Sequence, residues 1–446
     1  MRALLFLALA ALAGAACSAP PAGPPDVLLV VVDTLRADHL GTYGFALPTS
    51  PNLDRFAAEG VVFERALAAS SNTVPSHASL MTSRFVREHS VGWLNGSTRL
   101  EGAETLAQRL RAAGYETGAF VGNFVLRRAS GLDAGFDVYD DAFAADEINR
   151  PGYHERDAEA TTERALAWLA ARGAKPVFLF VHYQDPHGPY APPPAWLPPF
   201  AALEATASPA LPALESDTEP GGIPRYQVLP GLERLAQYRS RYAGEIAYFD
   251  ASFGRLLAAL AARARPNVVA LTADHGESFG EGGFFLSHGH ATTPDQARVP
   301  LVLRAPGLAP GRRSDPVHHV DVAPTLLELA GLASPADARG LALGPFLREA
   351  RPLPERLLFC DVGNDVSAYA ADRFLRASRT DRRQPFQFSA ERWDGAQHWE
   401  PMPSEAADLA GLDAYLAIHP RMSPIPETLS EADRARLRAL GYLDDE

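Results

Sequence analysis

Only two cysteines, Cys17 and Cys360, occur in the 446 residues. With one of them in the N-terminal segment, no disulfide framework can brace the rest of the chain, and stability must come from an apolar core. Positive charge is also in deficit. Arg and Lys number 41 against 54 Asp and Glu, and the formal net charge of -13 argues against a nucleic-acid polyanion as partner. Past the N-terminal segment no apolar run is long enough to span a bilayer, and no internal repeat is present. What is there, 47% hydrophobic and 21% charged residues, is the make-up of a globular chain with room for one large domain and a smaller one.

Residues 1–25 read as processing signals rather than fold. Met1-Arg2, the apolar run Ala3–Ala13 and small residues up to Ala16 predict an export signal over 1–16. Cys17 followed by S-A-P-P-A-G-P-P resembles the lipidated cysteine and flexible tether (17–25) of a bacterial lipoprotein. Gly14 stands where a large aliphatic residue is usual, so simple cleavage after an Ala, giving a periplasmic or secreted protein, is the alternative. The expectation is an exported protein held to a periplasmic or cell-surface membrane by a lipid at Cys17.

Asp26–Val32, D-V-L-L-V-V-V, is apolar without alternation, as expected of a strand buried on both faces of a parallel sheet. Pro176–Val181 and Asn267–Ala273 repeat the pattern. Further strands are predicted at Val61–Phe63, Tyr115–Val121, Phe136–Tyr139 and Val299–Leu303. Helices are predicted at Asn52–Glu59, Ala103–Ala113, Arg156–Ala171, Leu232–Ala262 and Val322–Leu332. This alternation predicts an α/β fold over 26–348, a central mostly parallel sheet flanked by helices. Residues 349–446, with short strand-like pieces and a last helix at Glu431–Leu440, are expected to form a small C-terminal α+β subdomain. Ala191–Arg225, rich in Pro and Ala and without periodicity, is expected to run over the surface above the site.

Each of the three buried runs ends in metal-ligand chemistry: Asp33, the Asp185/His187 pair, and Asp274-His275. In open α/β sheets ligands bind beyond the carboxyl ends of the strands, so these groups should converge on a cation and an attacking oxygen. Taken singly, Asp33 could cap a turn and His187 could be a loop histidine. The attacking oxygen is sought in Ser71–Ser83, S-N-T-V-P-S-H-A-S-L-M-T-S, where Thr73 occupies an expected helix N-cap and Pro75 follows in the first turn. A hydroxyl there faces free N–H groups and the positive end of the helix dipole, a good place for a phosphoryl or sulfuryl group. An ordinary capping threonine is the plain alternative.

A series of blocks then carries a specific resemblance. They are V-V-V-D-T-L-R-A-D-H-L-G-T-Y-G (30–44), T-V-P-S-H-A-S-L-M-T (73–82), H-Y-Q-D-P-H-G-P-Y-A-P-P (182–193) and Y-A-G-E-I-A-Y-F-D (242–250). In the same order follow T-A-D-H-G-E (272–277), S-H-G-H (287–290), R-V-P-L-V (298–302) and V-D-V-A-P-T-L-L-E-L-A-G-L (320–332). The chain resembles the sulfatase family of the alkaline-phosphatase superfamily over nearly its whole mature length. The resemblance implies an alkaline-phosphatase-like sandwich and a divalent metal (calcium, manganese, zinc or magnesium) on Asp33, Asp274 and His275. It places Thr73 at the nucleophile, itself touching the metal, and His187 and His288 against the transferred group or its leaving group. His77, Asn123 and His182 fall on the substrate side.

Departures from the family pattern sharpen the reading. Working sulfatases carry C-x-P-S-R or S-x-P-S-R, whose Cys or Ser becomes formylglycine; here Thr73 and His77 replace the first residue and the arginine. The G-K-W-H block is replaced by a stretch containing Asn123, and the second acid of the usual D-D pair is Thr34. A threonine gives no aldehyde hydrate to expel sulfate. It is the nucleophile of phosphodiesterases and of phosphoglycerol or phosphoethanolamine transferases in this superfamily. The expected function is a metal-dependent hydrolase of an anionic sulfuric or phosphoric ester, with phosphate favoured. A transferase of that kind, or an inactive lipoprotein that binds a glycan or lipid headgroup, are the alternatives. One ion is expected. Asp185, His187 and His288 offer an Asp/His/His set for a second zinc or manganese ion that would restore the lost positive charge.

Overall fold

The structure, a computed structural model, describes residues 23–418 except 93–98, 144, 218, 371–372, 381–383, 394–398 and 402–405. The export segment, Cys17 and the helix expected at Glu431–Leu440 lie outside the described residues.

The first buried run forms β1 (Asp26–Val32), every residue of it buried. A chain of short elements follows: α1 (Pro51–Ala58), β2 (Val61–Leu67), α2 (Thr73–Thr82), α3 (Val86–His89), α4 (Leu106–Ala112), β3 (Glu116–Val121) and β4 (Val138–Asp140). Helix α4 starts three residues later than the apolar pattern predicts. Thr105 accepts the Gln108 N–H at 3.1 Å while the Gln108 side chain accepts the Thr105 N–H at 2.8 Å, and this reciprocal cap sets the boundary. Next come a hairpin that the sequence pattern does not reveal, β5 (Ala145–Glu147) and β6 (Arg150–Glu155), then α5 (Ala158–Ala170), capped by Asp157, and β7 (Val177–Tyr183). The long helix α6 (Leu235–Ala261) leads to β8 (Asn267–Ala273), the short pair β9 (Ser278–Phe279) and β10 (Phe285–Ser287), α7 (Pro294–Ala297) and β11 (Arg298–Arg304). The domain closes with β12 (Gly311–Arg313), β13 (Val317–His318), α8 (Val322–Leu329) and α9 (Gly344–Arg348).

The main sheet runs β12-β2-β11-β8-β1-β7-β3-β4, with β13 also on β2. Its centre, β8-β1-β7-β3-β4, is wholly parallel, and β11 runs antiparallel to both β8 and β2. Helices α1, α5 and α6 pack together, as do α2, α4 and α8, with the sheet between the two groups. This is the α/β sandwich the sequence predicts. Register decides what the sheet presents at its end. Val32 pairs with Tyr183 on one side and Ala273 on the other, so β1, β7 and β8 finish level. Backbone bonds carry the ladder one residue further, from Asp33 N–H to Tyr183 O at 2.9 Å and from Asp274 N–H to Val32 O at 3.4 Å. The chain therefore delivers Asp33 and Asp274 side by side.

The Pro-rich excursion is better anchored than its composition suggests. It carries 3₁₀ turns at Pro194–Trp196 and Pro198–Ala205, and Phe200 is buried against Ala243 and Ala247 of α6. Just beyond it Gln227 donates to Leu286 O at 3.1 Å, which brings Tyr226 down to the sheet end.

After residue 349, β14 (Leu358–Asp361), β15 (Asp365–Tyr369), β16 (Arg373–Ser378), β17 (Gln387–Trp393) and β18 (Trp399–Pro401) form an antiparallel meander, followed by α10 (Ala406–Leu416). Its own small core includes Val366, Leu375, Leu412 and Tyr415. The meander is fastened to the segment before α2: Asp361 N–H donates to Ala69 O at 2.9 Å and Ser70 Oγ donates to Asp361 O at 2.9 Å. Arg87 of α3 donates to Asp361 Oδ2 at 2.7 Å, an ion pair with both partners buried. Removing one member of such a pair strands a charge in the interior, whereas removing both does not. Arg87→Ala is accordingly expected to cost about 3–5 kcal/mol in denaturant unfolding. Arg87→Met combined with Asp361→Asn should recover at least half of that loss. A single substitution costing less than about 1 kcal/mol would mean that water reaches the pair.

Candidate active site

At the level ends of β1 and β8, Asp33 and Asp274 are fully buried. Asp274 Oδ1 accepts the N–H groups of Thr34 at 3.2 Å and His275 at 2.8 Å, while Oδ2 has no hydrogen-bond partner. Asp33 Oδ2 accepts from Asn123 Nδ2 at 3.0 Å, and its Oδ1 is likewise unpartnered. Burial pushes the Asp33 carboxyl up to about 6, against the opposing pull of His275 and the Asn123 bond. His275 Nδ1 faces Gly276 O at 3.0 Å, so that nitrogen carries the hydrogen and Nε2 presents its lone pair to the site. Nε2 lies 3.4 Å from Asp274 Oδ2, 3.8 Å from Asp33 Oδ1 and 3.4 Å from Thr73 Oγ1. One donor atom from each of Asp33, Asp274 and His275 falls within 4.8 Å of the others. Two orphaned carboxylate oxygens beside an imidazole lone pair and a hydroxyl match the donor set of a divalent cation.

Thr73 is the first residue inside α2, not its cap. Asn72 holds the extended cap conformation, and the first helical bond runs from Ser76 N–H to Asn72 O at 3.2 Å. The hydroxyl is thus freed from capping, and all ten residues of α2 are buried. One turn on, His77 Nδ1 donates to Thr73 O at 2.8 Å. Its ring centre lies 5.0 Å from that of His182, whose Nε2 sits 3.4 Å from Asp33 Oδ2. Neither nitrogen of His182 has a partner. His77, His182 and Asp274 form a second group whose donor atoms lie within 4.8 Å of one another. Burial lowers His77 to about 3 and His182 to about 4, so both are neutral imidazoles.

Asn123, expected on the substrate side, is fastened to the protein. Beyond its bond to Asp33 it accepts from Tyr153 OH at 2.8 Å and from Val125 N–H at 3.0 Å. His187 and His288 lie together at the mouth of the site with ring centres 5.2 Å apart, and His288 is 4.5 Å from the His275 ring. His187 Nδ1 donates to Gly188 O at 2.7 Å, and His288 Nδ1 lies 3.1 Å from Glu277 Oε1. Asp185 is not with them. A turn closed by His187 N–H on Gln184 O at 2.7 Å separates the two side chains. The Asp185 carboxylate instead hydrogen-bonds Glu245 of α6, with Glu155 nearby. Among the described residues, Asp185, His187 and His288 do not form a donor group.

One residue of the site carries no signal in the sequence pattern, and two others showed only part of their role. Arg150, in the unanticipated hairpin, grips Glu147 through two bonds of 2.6 Å and lies over the rings of Tyr153 and Tyr226. Its charge acts on Asp33, His187 and His288 alike, each time favouring negative or neutral forms. Thr34 adopts φ 55°, a left-handed conformation that a β-branched residue rarely takes. Tyr242 pins that turn, donating to Thr34 O at 2.7 Å and accepting the Arg36 N–H at 2.9 Å. Tyr242 was legible beforehand only as the first residue of the Y-A-G-E-I-A-Y-F-D block.

The Asp185–Glu245 pair has a measurable consequence. Burial pushes Asp185 up to about 6, and burial and then the Asp185 charge push Glu245 well above its ordinary range. Carboxyls whose folded pKa is raised contribute stability that is complete near pH 4 and lost as pH rises, through about 6 for Asp185 and at higher pH for Glu245. Glu245→Gln, which keeps a donor for Asp185, should therefore flatten the fall of Tm between acidic and neutral pH. At pH 8 it should lie above wild type by about 2 °C. Parallel Tm–pH curves would show that the pair does not titrate in this window.

Comparison with known proteins agrees with this geometry. The sequence model of the sulfatase family matches residues 25–332. A multifunctional alkaline phosphatase superfamily protein from Trinickia caryophylli is 28% identical over 409 residues, covering 73% of this chain and 78% of the relative. An arylsulfatase from Clostridium perfringens is 25% identical over 425 residues, covering 81% and 87%. The solved structure of a phosphonate monoester hydrolase from Silicibacter pomeroyi superposes with a TM-score of 0.67 at 22% identity, covering 88% of this chain and 94% of that one. With the family model matching residues 25–332, this chain belongs to the sulfatase family and is a sulfatase-like ester hydrolase.

Proposed function

We propose that the chain is a metal-dependent hydrolase of phosphoric esters that uses Thr73 as its nucleophile. The observation that carries this reading is Thr73 Oγ1 at the N-terminus of α2, 3.4 Å from His275 Nε2 and beside the unpartnered oxygens of Asp33 and Asp274. A divalent cation on Asp33, Asp274, His275 and Thr73 would lower the pKa of the hydroxyl and draw charge from the non-bridging oxygens of the ester. With its proton released to solvent, Thr73 Oγ forms the new P–O bond as the bond to the leaving oxygen breaks. The N-terminal N–H groups of α2 and its dipole face the anion as this happens. Burial pushes the Glu277 carboxyl up to about 8, so it can donate to His288 Nδ1; Nε2 then carries the ring hydrogen and can pass it to the leaving oxygen as the Glu277 proton moves to Nδ1. His187 donates through Nδ1 to Gly188 O, which leaves Nε2 as an acceptor. That suits it to take a proton from the water that displaces phosphate from Thr73. Asn123 holds Asp33 rather than the substrate. The threonine supports phosphate over sulfate, because a sulfated threonine has no internal route to expel sulfate.

Location completes the proposal. The export signal over 1–16 and the Cys17 tether support an exported, lipid-anchored enzyme acting outside the cytoplasm.

Two measurements test these readings. On p-nitrophenyl phosphate mono- and diesters, kcat/KM should exceed that on p-nitrophenyl sulfate by at least about tenfold. Thr73→Ala should lower kcat by about 10³-fold or more with an unchanged far-UV spectrum. Activity close to wild type in Thr73→Ala would rule the nucleophile out. In a bacterial host, wild-type protein should partition with detergent-extracted membranes and Cys17→Ala should be soluble. Freely soluble wild-type protein would leave plain signal cleavage.

A further inference from the structure

Asp274 belongs to two donor groups at once, one with Asp33 and His275, the other with His77 and His182. We propose that this chain holds a second divalent cation, of the zinc or manganese kind, between His77, His182 and Asp274, so that Asp274 serves both ions.

Several observations meet at this position. All three side chains are fully buried, and Asp274 Oδ2, His77 Nε2 and both ring nitrogens of His182 lack a hydrogen-bond partner. Interior polar atoms are rarely left so, and a cluster of them marks a missing ligand. His77 is already set for coordination. Its Nδ1–H is committed to Thr73 O at 2.8 Å, leaving the Nε2 lone pair open. Metal-binding histidines are usually oriented by just such a bond to a carbonyl. His182 closes the cluster, its Nε2 3.4 Å from Asp33 Oδ2. Two imidazoles and a carboxylate oxygen suit zinc or manganese better than calcium, which takes oxygen ligands.

Charge supplies an independent argument. One divalent ion only balances Asp33 and Asp274, and Arg150 is tied to Glu147. A second ion would give this side of the site the positive charge that an anionic ester needs. This position differs from the Asp185/His187/His288 set, since Asp185 is turned toward Glu245. The inference goes beyond the nucleophile assignment and does not depend on which ester is cleaved.

Metal content decides it. Metal-free protein dialysed against excess Zn²⁺ or Mn²⁺ should take up two equivalents per chain. His77→Ala and His182→Ala should each retain one, and Asp33→Asn should also retain one, lost from the other position. Anomalous diffraction from zinc-loaded wild-type crystals should show two peaks about 3.5–4 Å apart, on either side of Asp274. That measurement needs no variant to fold. One equivalent at saturation in wild type, unchanged in His77→Ala and His182→Ala but lost in Asp33→Asn, would overturn the second site. The single-ion reading would then still stand. No bound metal in wild type would overturn both.

Discussion

Everything at the end of the sheet answers to two carboxylates, Asp33 and Asp274, set next to each other out of contact with water. Buried anions are tolerated only when paired, hydrogen-bonded or held by a cation. The protein supplies part of that compensation and withholds the rest. Backbone N–H groups of Thr34 and His275 take one oxygen of Asp274, Asn123 takes one oxygen of Asp33, and each carboxylate keeps one oxygen free. Nearby hydrogen bonds serve as orientation. Tyr153 holds Asn123, Tyr242 holds the strained Thr34 turn, and His319 with Ser76 links α2 to the end of β8 through Ser76 Oγ donating to Asp274 O at 2.6 Å.

The histidines follow from the same constraint. A polar site excluded from water cannot keep many imidazoles charged, and burial lowers His77, His182, His187 and His288. They act as neutral donors and acceptors of fixed orientation. Permanent positive charge comes from Arg150, delivered from a hairpin outside the main sheet and steadied by two tyrosine rings. Tyr226, which links it to His187, is placed by the Pro-rich excursion. That segment therefore belongs to the architecture of the site.

Legibility in the sequence tracked how local the controlling physics is. Asp26–Val32 and Asn267–Ala273 are strands to the residue, because a short apolar run rich in valine and without alternation admits few alternatives. The ends of these strands gave away Asp33, Asp274 and His275. Helix α4 was predicted too long, because side-chain reciprocity at Thr105 and Gln108 outweighs apolar spacing there. Thr73 was taken for a cap, yet the choice between Asn72 and Thr73 depends on one residue's backbone angle. Asp185 was grouped with His187 from adjacency alone, and only the turn between them reveals that they diverge. Arg150 was invisible, since its hairpin has no clean alternation and its importance arises from distant residues.

The clamp of the C-terminal meander on the segment before α2 bears on when the protein becomes active during its synthesis. Ser70, three residues before Thr73, is bonded to Asp361, which lies 291 residues further along the chain. Thr292, close to the mouth of the site, is likewise bonded to Asp365. A ribosome therefore exposes the hydroxyl, both aspartates and every histidine of the site well before it makes the strands that lock their supporting loops. Until those strands pair, the nascent chain carries these groups on unbraced loops, and assembly of the site waits on residues made long after its own.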